Sequence, residues 1–410
     1  MNAQELAARR THYRSPVREM PEQEVPTRGR VVQLTHALLT IGGIETCIRE
    51  LSSRLSGEGV TTEILVSNPL QRPPTSAGGS PVIDVPFDDT DAVITRVHDF
   101  HPDLVVLHSV AKPAISDALR VRYRTVEVVH TLLCPGSKLF RRGDEPCGHP
   151  VGLRCLVDWY WGPCGPSRNP ISALRGVQSA REHIAALCRL DQVLVGSRYM
   201  REYLVGEGIP AERISVVRLP HGGPSTNRAH HGERSPEIYR LLFVGRVTYN
   251  KGLQYLLSAL ALLETSFHLD VAGDGWFLPR AMELSHGLGL VDRTRFLGSV
   301  AADAVPALYQ YTDLVVVPSI CPEPVGLVVG EARSHGVPVV VTEAGGLPEW
   351  ADDDPSVLVA PRADARALAA TIEDARRQQR TSRPRDARDH SLTDAIIGAL
   401  HAAKPRSFSS

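Results

Sequence analysis

The hydrophobic positions of this chain alternate between short apolar runs and stretches in which apolar residues recur at the spacing of an amphipathic helix. In the first half, the runs cover 31–34, 62–66, 104–107, 126–129 and 192–195. The first run is followed by Gly42 and Gly43, and then by apolar residues at helical spacing from Ile44 to Leu55. Strands and helices that alternate in this way predict a parallel sheet covered by helices on both faces.

A second series of the same kind begins after a segment rich in Gly, Pro, His and Ser at 218–237. Its apolar runs cover 241–244, 268–272, 294–297, 314–317 and 337–341. A chain of 410 residues also exceeds what one hydrophobic core usually supports. The predicted organisation is a flexible tail over 1–28, a first Rossmann-like domain over 29–220, a linker over 221–237, a second Rossmann-like domain over 238–378, and a tail with a helix over 379–410 that packs back on the first domain.

Composition excludes several classes of protein. Hydrophobic residues make up 42% and charged residues 22% of the chain, as in ordinary globular proteins. The 45 Lys and Arg nearly balance the 46 Asp and Glu, so no strong field attracts nucleic acid. No apolar stretch is long enough to span a bilayer, and the segment 1–30 is polar and charged. We therefore expect a cytoplasmic protein, monomeric or homodimeric, without a transmembrane segment, for which peripheral membrane contact stays open.

Gly42 and Gly43 stand at a predicted turn from a strand into a helix. Because glycine has no side chain, backbone N–H groups can approach an anion at this turn, and the dipole of the following helix favours negative charge. The pair therefore predicts a turn that binds the donor molecule. An ordinary glycine turn is the alternative.

Two cations, Arg246 and Lys251, lie in the loop that follows the run 241–244. A diphosphate leaving group gains negative charge as its bond to a sugar breaks, and an Arg and a Lys aimed at it stabilise that change. The alternative is a pair of solvated surface charges. Their position at the carboxyl edge of a predicted sheet favours the diphosphate.

Two carboxylates, Glu323 and Glu331, flank a predicted helix start. Glu331 lies about two turns into an apolar helix, where a carboxylate costs free energy unless it has a partner, and a ribose diol is a suitable one. The N–H groups of Gly326, Leu327 and Val328 can bind phosphate at the same helix end. The alternative is that Glu323 caps the helix and Glu331 is solvated.

These segments together resemble glycosyltransferase family 4, whose members are retaining nucleotide-sugar enzymes of GT-B fold, with two Rossmann-like domains facing each other across a cleft. The resemblance runs from about residue 30 to 375 and is stronger in the second domain. The matching motifs are Gly42-Gly43-x-Glu45, the Gly-Arg-x4-Lys-Gly element from Gly245 to Gly252, Ala272-Gly273-Asp274-Gly275, Phe296-Leu297-Gly298, the Glu-x7-Glu element from Glu323 to Glu331, and Ala344-Gly345-Gly346-Leu347-Pro348-Glu349.

The resemblance implies transfer of a sugar, with retention, from a nucleotide-diphosphate sugar to a hydroxyl or amine of a small-molecule or glycan acceptor bound by the first domain. It favours UDP over GDP as the nucleotide. The family frequently has Asp directly after the histidine that ends the run 126–129, whereas this chain has Thr131. The implied roles are Arg246 and Lys251 on the diphosphate, Glu331 on the ribose, Leu297 near the base, and Glu323 and His130 as catalytic residues beside the transferred sugar.

We expect no catalytic divalent metal, because two cations and a helix N-terminus already face the diphosphate and no Asp-x-Asp motif stands beside a donor-site strand. No carboxylate pair at glycosidase spacing is evident, so the leaving phosphate would take the acceptor proton. Two alternatives stay open, a sugar-nucleotide epimerase of similar fold and a non-catalytic nucleotide-sugar binding protein. A Rossmann dehydrogenase fits less well, because Gly273-Asp274-Gly275 lacks the third glycine.

Four of the seven cysteines lie in a loop predicted over 131–168, which has few aliphatic residues. Four thiolates around one Zn²⁺ would order such a segment, and His149 could replace one of them. The absence of a Cys-x-x-Cys pair weakens this interpretation, and an iron–sulfur cluster, two disulfides and four unrelated thiols are the alternatives. The candidate ligands are Cys134, Cys147, Cys155 and Cys164.

Overall fold

The computed structural model describes residues 29–36, 38, 43–67, 74–110, 112–136, 144, 147–161, 164, 169–221, 238–301, 304–378 and 391–402. Within these residues the chain forms two α/β domains, each built on one largely parallel sheet. The predicted fold class of two doubly wound domains is thereby confirmed. None of the helices in these ranges has the length and apolar character needed to cross a membrane.

The first domain contains an eight-stranded sheet in the described residues. Its strands are β1 (Arg30–Thr35), β2 (Thr61–Val66), β3 (Ser76–Ala77), β4 (Ser80–Asp84), β5 (Leu104–His108), β6 (Arg124–Val129), β7 (Gln192–Val195) and β8 (Ile214–Val216). In space they run in the order β3-β4-β2-β1-β5-β6-β7-β8, and only β3 and β4 pair antiparallel. Because helices cover both faces, the central strands are apolar almost throughout.

Polar caps set several helix starts in this domain. The side chains of Asp89, Asn169 and Ser197 each accept a backbone N–H in the first turn of the helix that follows them. Pro170, directly after Asn169, has the fixed φ that suits a first helical position. The helices are α1 (Gly43–Gly57), α2 (Thr90–Phe100), α3 (Pro113–Arg122), α4 (Leu153–Trp161), α5 (Pro170–Leu187) and α6 (Arg198–Gly206).

The second domain contains a six-stranded, fully parallel sheet. Its strands are β9 (Tyr239–Val244), β10 (Phe267–Ala272), β11 (Thr294–Gly298), β12 (Leu314–Val317), β13 (Val339–Thr342) and β14 (Val357–Ala360), in the spatial order β11-β10-β9-β12-β13-β14. Its helices are α7 (Leu253–Leu260), α8 (Leu278–Gly287), α9 (Val305–Gln310), α10 (Leu327–Ser334), α11 (Glu349–Asp353) and α12 (Ala365–Gln378).

The last described helix, α13 (Leu392–His401), packs on the first domain although it follows the second in sequence. The N–H of Leu392 donates to the carbonyl of Arg218 over 2.9 Å, and Arg124 donates to the carbonyl of Ala402 over 3.1 Å. The side chain of Leu400 packs directly over Gly29. The chain therefore returns to the first domain at its C-terminal end.

The two domains also share the cap of one helix. The carboxylate of Glu349, in the second domain, accepts the N–H groups of Arg198 (2.9 Å) and Tyr199 (2.7 Å) in the first turn of α6. The guanidinium of Arg198 also pairs with Asp352, and the hydroxyl of Ser197 donates to the carbonyl of Pro324. The start of α6 is thus held by groups from both domains.

Candidate active site

A cleft of about 1200 Å³ lies between the two domains and is lined by residues of both. The first domain contributes the start of α1 and the residues after β6, and the second contributes the loops after β9, β10 and β12. A Cβ atom on Gly43 would lie only 2.9 Å from Cδ1 of Leu327, so the domains approach each other closely at this point. In doubly wound folds, ligands bind at the carboxyl ends of the strands, which is where this cleft lies.

Both predicted cations line the cleft. Arg246 is exposed on the loop after β9, while Lys251 ends a short 3₁₀ turn and its Nζ lies 2.6 Å from Oε1 of Glu323. Gly252 follows with φ of 76°, and any Cβ atom at this position would collide with the carbonyl oxygen of Pro318. Only glycine lets the cation-bearing loop pack this closely on the end of β12.

Glu323 is buried in the loop that precedes α10, with 8% of its surface exposed. Burial alone would raise the pKa of its carboxyl, but the ammonium of Lys251 and the hydrogen bonds from Lys251 and Ser319 bring it below the usual value. The Ser319 hydroxyl donates over 2.6 Å. Gly345 lies against the backbone of Glu323 with φ of 64°. A side chain at this position would collide with that backbone, which explains the glycine in the motif that begins at Ala344. Glu323 is therefore an ionised carboxylate fixed by two donors.

The N-terminus of α10 faces the cleft. Gly326 precedes the helix with φ of 79° and supplies no side-chain cap, and Gly326, Leu327 and Val328 all line the cleft. N–H groups in the first turn of a helix have no partner within the helix. This end of α10 can therefore bind a phosphate oxygen.

Glu331, further along α10, also lines the cleft. Its carboxylate accepts the hydroxyl of Tyr309 over 3.1 Å, and the Tyr309 ring stacks on His335 at 4.9 Å. Burial raises the pKa of Glu331, and the bond from Tyr309 only partly offsets this. The carboxylate can accept further hydroxyl donors from a bound molecule.

His130 follows β6 and lines the first-domain side of the cleft with Thr131. The backbone N–H of His130 donates to Oγ of Ser109 over 2.8 Å, and the ring Nε2 of His130 lies 3.0 Å from Nδ1 of His108. Burial lowers the pKa of His130 to about 4. The imidazole is therefore neutral at neutral pH, which suits a hydrogen-bonding role better than that of a cation.

Of the remaining predicted residues, one lies outside the described part of the chain and one is not brought into this group. Gly42 lies outside the described residues. Leu297 packs against the apolar core and is absent from the cleft wall, which Ser299 and Val300 form at this edge. A side chain in a strand points to one face of the sheet, whereas the residues after the strand reach its carboxyl edge.

The four cysteines of the predicted loop line one small cavity of about 20 Å³, together with His149 and Asp158. None of these four cysteines forms a disulfide. Burial, and then the neighbouring thiols, raise the pKa of Cys164 to about 11. Within the part of the chain that the structure describes, no group of three or more His, Cys, Asp or Glu is arranged to hold a metal ion. The four cysteines thus surround one cavity, but in this structure they are not arranged to hold a metal ion.

Sequence reasoning missed four polar residues that support the site, namely Gln33, His108, Tyr309 and Ser319. Gln33 and His108 carry a detectable signal, because each is a polar residue within or directly after an apolar strand. Tyr309 lies in α9 and resembles any aromatic core residue, so the sequence offers no sign of its bond to Glu331.

Comparison with known proteins places these features in a family. A model described as "Glycosyl transferase 4-like domain" matches residues 42–220, and one described as "Glycosyl transferases group 1" matches residues 238–377. The chain therefore carries two glycosyltransferase domains, a 4-like domain followed by a group 1 domain. The cleft lies at the junction of these two matched domains.

Individual relatives agree with this assignment. An uncharacterized glycosyltransferase of Methanocaldococcus jannaschii is 43% identical over 111 residues, which are 27% of this chain and 28% of that protein. A D-inositol 3-phosphate glycosyltransferase of Mycolicibacterium gilvum is 25% identical over 399 residues, covering 86% of this chain and 81% of the relative. The chain thus spans under a third of the first relative and most of the second.

Among solved structures, the Anabaena protein HepE in complex with UDP-glucose superposes with a TM-score of 0.62. The two proteins are 19% identical, and the match covers 92% of this chain and 97% of the other. At this identity the likeness concerns the fold, which is GT-B.

Proposed function

We propose that this glycosyltransferase transfers a sugar, with retention at the anomeric carbon, from a nucleotide-diphosphate sugar to a hydroxyl or amine of a small-molecule or glycan acceptor. The observation that carries the proposal is the convergence of Arg246, Lys251, the N-terminus of α10 and Glu331 on one cleft. Two cations and the N–H groups of a helix start suit a diphosphate, and a partly buried carboxylate suits the ribose hydroxyls. UDP is the proposed nucleotide, supported by the UDP-glucose complex of the structurally similar HepE.

The reaction we propose breaks the bond between the anomeric carbon and the diphosphate oxygen and forms a bond to the acceptor oxygen on the same face. The proton of the acceptor hydroxyl passes to an oxygen of the leaving phosphate. Glu323 is engaged by Lys251 and Ser319, so its proposed role is to orient Lys251 and the transferred sugar rather than to form a covalent intermediate. Charge developing on the diphosphate is stabilised by Arg246 and Lys251.

The acceptor is placed by this proposal on α1, where polar side chains line the opposite side of the cleft. Thr46, Arg49, Glu50 and Ser53 all belong to this wall. They offer donors and acceptors of hydrogen bonds suited to a molecule with several hydroxyls. The relative named for D-inositol 3-phosphate supports including phosphorylated polyols among the acceptors that are tested.

A screen of nucleotides and acceptors tests the function. Thermal shift in EDTA with UDP, GDP, ADP and their glucose conjugates should show stabilisation by one of the diphosphates, since a ligand at a hundred times its Kd adds about 2.7 kcal/mol. The best donor is then incubated with polyol phosphates and glycans, and NMR reads the anomeric configuration of the product. An inverted product would contradict retention, and activity that requires added Mn²⁺ would contradict a metal-independent reaction.

The same screen separates the two rival functions. A new sugar nucleotide formed without any acceptor would favour an epimerase. Donor binding without turnover of any acceptor would favour a non-catalytic binding protein. The chain is not expected to convert the donor unless an acceptor, or slowly water, takes the sugar.

We further propose that Cys134, Cys147, Cys155 and Cys164 hold one structural zinc that orders the loop after His130. Their convergence on one cavity supports this, although the thiols would have to move toward its centre to reach the roughly 2.3 Å of Zn–S bonds. A bound zinc adds on the order of 10 kcal/mol, enough to offset the entropy of ordering such a segment.

Elemental analysis of protein purified without a histidine tag should find one zinc per chain, and Cys155→Ser should abolish it. Cys188→Ser is the matched control, because this cysteine does not line the cavity. Titration of thiols in denaturant completes the measurement. Seven free thiols and no zinc would leave four ordinary cysteines, whereas a loss of four thiols would indicate two disulfides.

A further inference from the structure

A line of hydrogen bonds leads from His130 into the interior of the first domain, across three neighbouring strands. Nε2 of His130 lies 3.0 Å from Nδ1 of His108, at the end of β5. Nε2 of His108 in turn lies 2.9 Å from Oε1 of Gln33 in β1. The amide nitrogen of Gln33 donates to Oγ of Ser52 on α1 over 2.7 Å. One connected line therefore joins His130 at the cleft to α1 through the interior of the domain.

All four side chains are buried. Gln33 and Ser52 are completely inaccessible, while His108 is 2% and His130 8% exposed. A buried polar group costs free energy unless it is hydrogen-bonded, and a matched apolar side chain would avoid this cost altogether. Apart from Thr35, the other buried positions in the strands of Gln33 and His108 are Val and Leu. Their polarity therefore calls for a reason beyond packing.

The order of donors and acceptors along this line fixes the position of one proton. Because the Gln33 amide nitrogen donates to Ser52, its oxygen faces His108, whose Nε2 must carry the proton. Burial, and then the neighbouring His130, lower the pKa of His108 well below its usual value, so the ring is neutral and its Nδ1 is an acceptor. Nε2 of His130 must then donate to it. His130, neutral as well, is left with an unprotonated Nδ1.

We propose that Gln33 and His108 are positioning residues that hold His130 as the Nε2-protonated tautomer, so that its Nδ1 accepts a hydroxyl of the bound donor sugar. This proposal rests on the proposed function, since it assigns the sugar of the nucleotide donor as the partner of His130. The fixed tautomer makes the histidine a hydrogen-bond acceptor and prevents it from donating a proton to the glycosidic oxygen. The hydroxyl is thereby held without any change in protonation during the reaction.

Two substitutions at Gln33 test the proposed order of hydrogen-bond donors and acceptors from Ser52 to His130. Gln33→Glu keeps an acceptor facing His108 and lets the Ser52 hydroxyl donate, whereas Gln33→Leu removes the acceptor at similar volume. We expect Gln33→Leu to lose roughly tenfold in kcat, about the net value of one hydrogen bond, with a change of less than about threefold in KM for the donor. Gln33→Glu should retain kcat within a few-fold. Equal kcat for wild type and Gln33→Leu would overturn the proposal.

Nitrogen NMR of labelled histidine in the ligand-free protein provides a readout that does not depend on activity. The His130 resonances are assigned by their loss in His130→Gln. They should show a protonated Nε2 and a bare Nδ1 in the wild type and in Gln33→Glu, and a tautomer mixture in Gln33→Leu. A proton on Nδ1 of wild-type His130 would refute the inference even if the protein transfers sugar. Failure to bind any nucleotide sugar would refute the proposed function and leave the tautomer measurement intact.

Discussion

Replacing Arg246 by alanine should slow sugar transfer about a hundredfold or more while leaving the melting temperature almost unchanged. The side chain is exposed on the cleft wall, so its removal takes away little packing. Its attraction for the diphosphate grows as the bond to the sugar breaks, and the loss should therefore appear in kcat as well as in kcat/KM. Steady-state kinetics with the best donor and acceptor, together with calorimetry, measure both effects.

Lys251→Ala should transfer sugar at least as slowly as Arg246→Ala, but its melting temperature should also fall. Lys251 pairs with the buried carboxylate of Glu323, and removing the lysine leaves that charge without its cation. Arg246→Ala is therefore the cleaner test of the diphosphate assignment. Arg280→Ala is the matched control, since this arginine is exposed on α8 and pairs with Glu283, three residues further along the same helix. Near-normal turnover in both cleft variants would remove the basis for placing the diphosphate here.

Glu331→Gln should weaken binding of the donor nucleotide by roughly tenfold to a hundredfold, the range expected when a charged acceptor of hydrogen bonds is lost. The carboxylate is partly buried beside the cleft and already accepts the hydroxyl of Tyr309. Glutamine keeps the volume and one acceptor but can no longer take both ribose hydroxyls as a carboxylate does. Isothermal titration with the nucleoside diphosphate gives the affinity.

A ribose analogue makes this test specific. The 2′,3′-dideoxy nucleotide should bind wild type as weakly as the normal nucleotide binds Glu331→Gln, and the substitution should change its affinity little. Glu283→Gln, on the exposed face of α8, is the control. Because burial raises the pKa of Glu331, donor affinity should fall as the pH is lowered through that raised value, and this dependence should vanish in Glu331→Gln. Equal losses of both nucleotides in the variant would argue against a ribose contact.

The strands that a sequence can predict are those buried on both faces. The run 314–317 coincides with β12 and 126–129 lies within β6, because such strands are continuous stretches of apolar residues. The weaker strands β4 and β14 escape prediction. Strand β4 contains Pro81 and is partly exposed, so its pattern does not differ from that of a loop. Strand β14 is a four-residue apolar run, which periodicity alone does not distinguish from a segment of a buried helix.

At the site, the sequence indicates residues whose chemistry is unusual for their surroundings. Glu331 within an apolar helix and two cations after a buried strand meet that condition. Leu297 does not, and the prediction that it lies near the base depended on the family resemblance alone. The support from Tyr309 and His108 depends on contacts across long stretches of chain, which no local pattern encodes.

Because Glu349 of the second domain caps α6 of the first, separating the two domains costs the free energy of these hydrogen bonds. If the domains separate to release product, Glu349 leaves the N–H groups of Arg198 and Tyr199, and the first turn of α6 loses its anion. Opening of the domains is then coupled to fraying of the first turn of α6. Salt screens the exposed Arg198–Asp352 pair and therefore favours opening. Hydrogen exchange at the backbone amides of Arg198 and Tyr199 would therefore report how often the two domains separate.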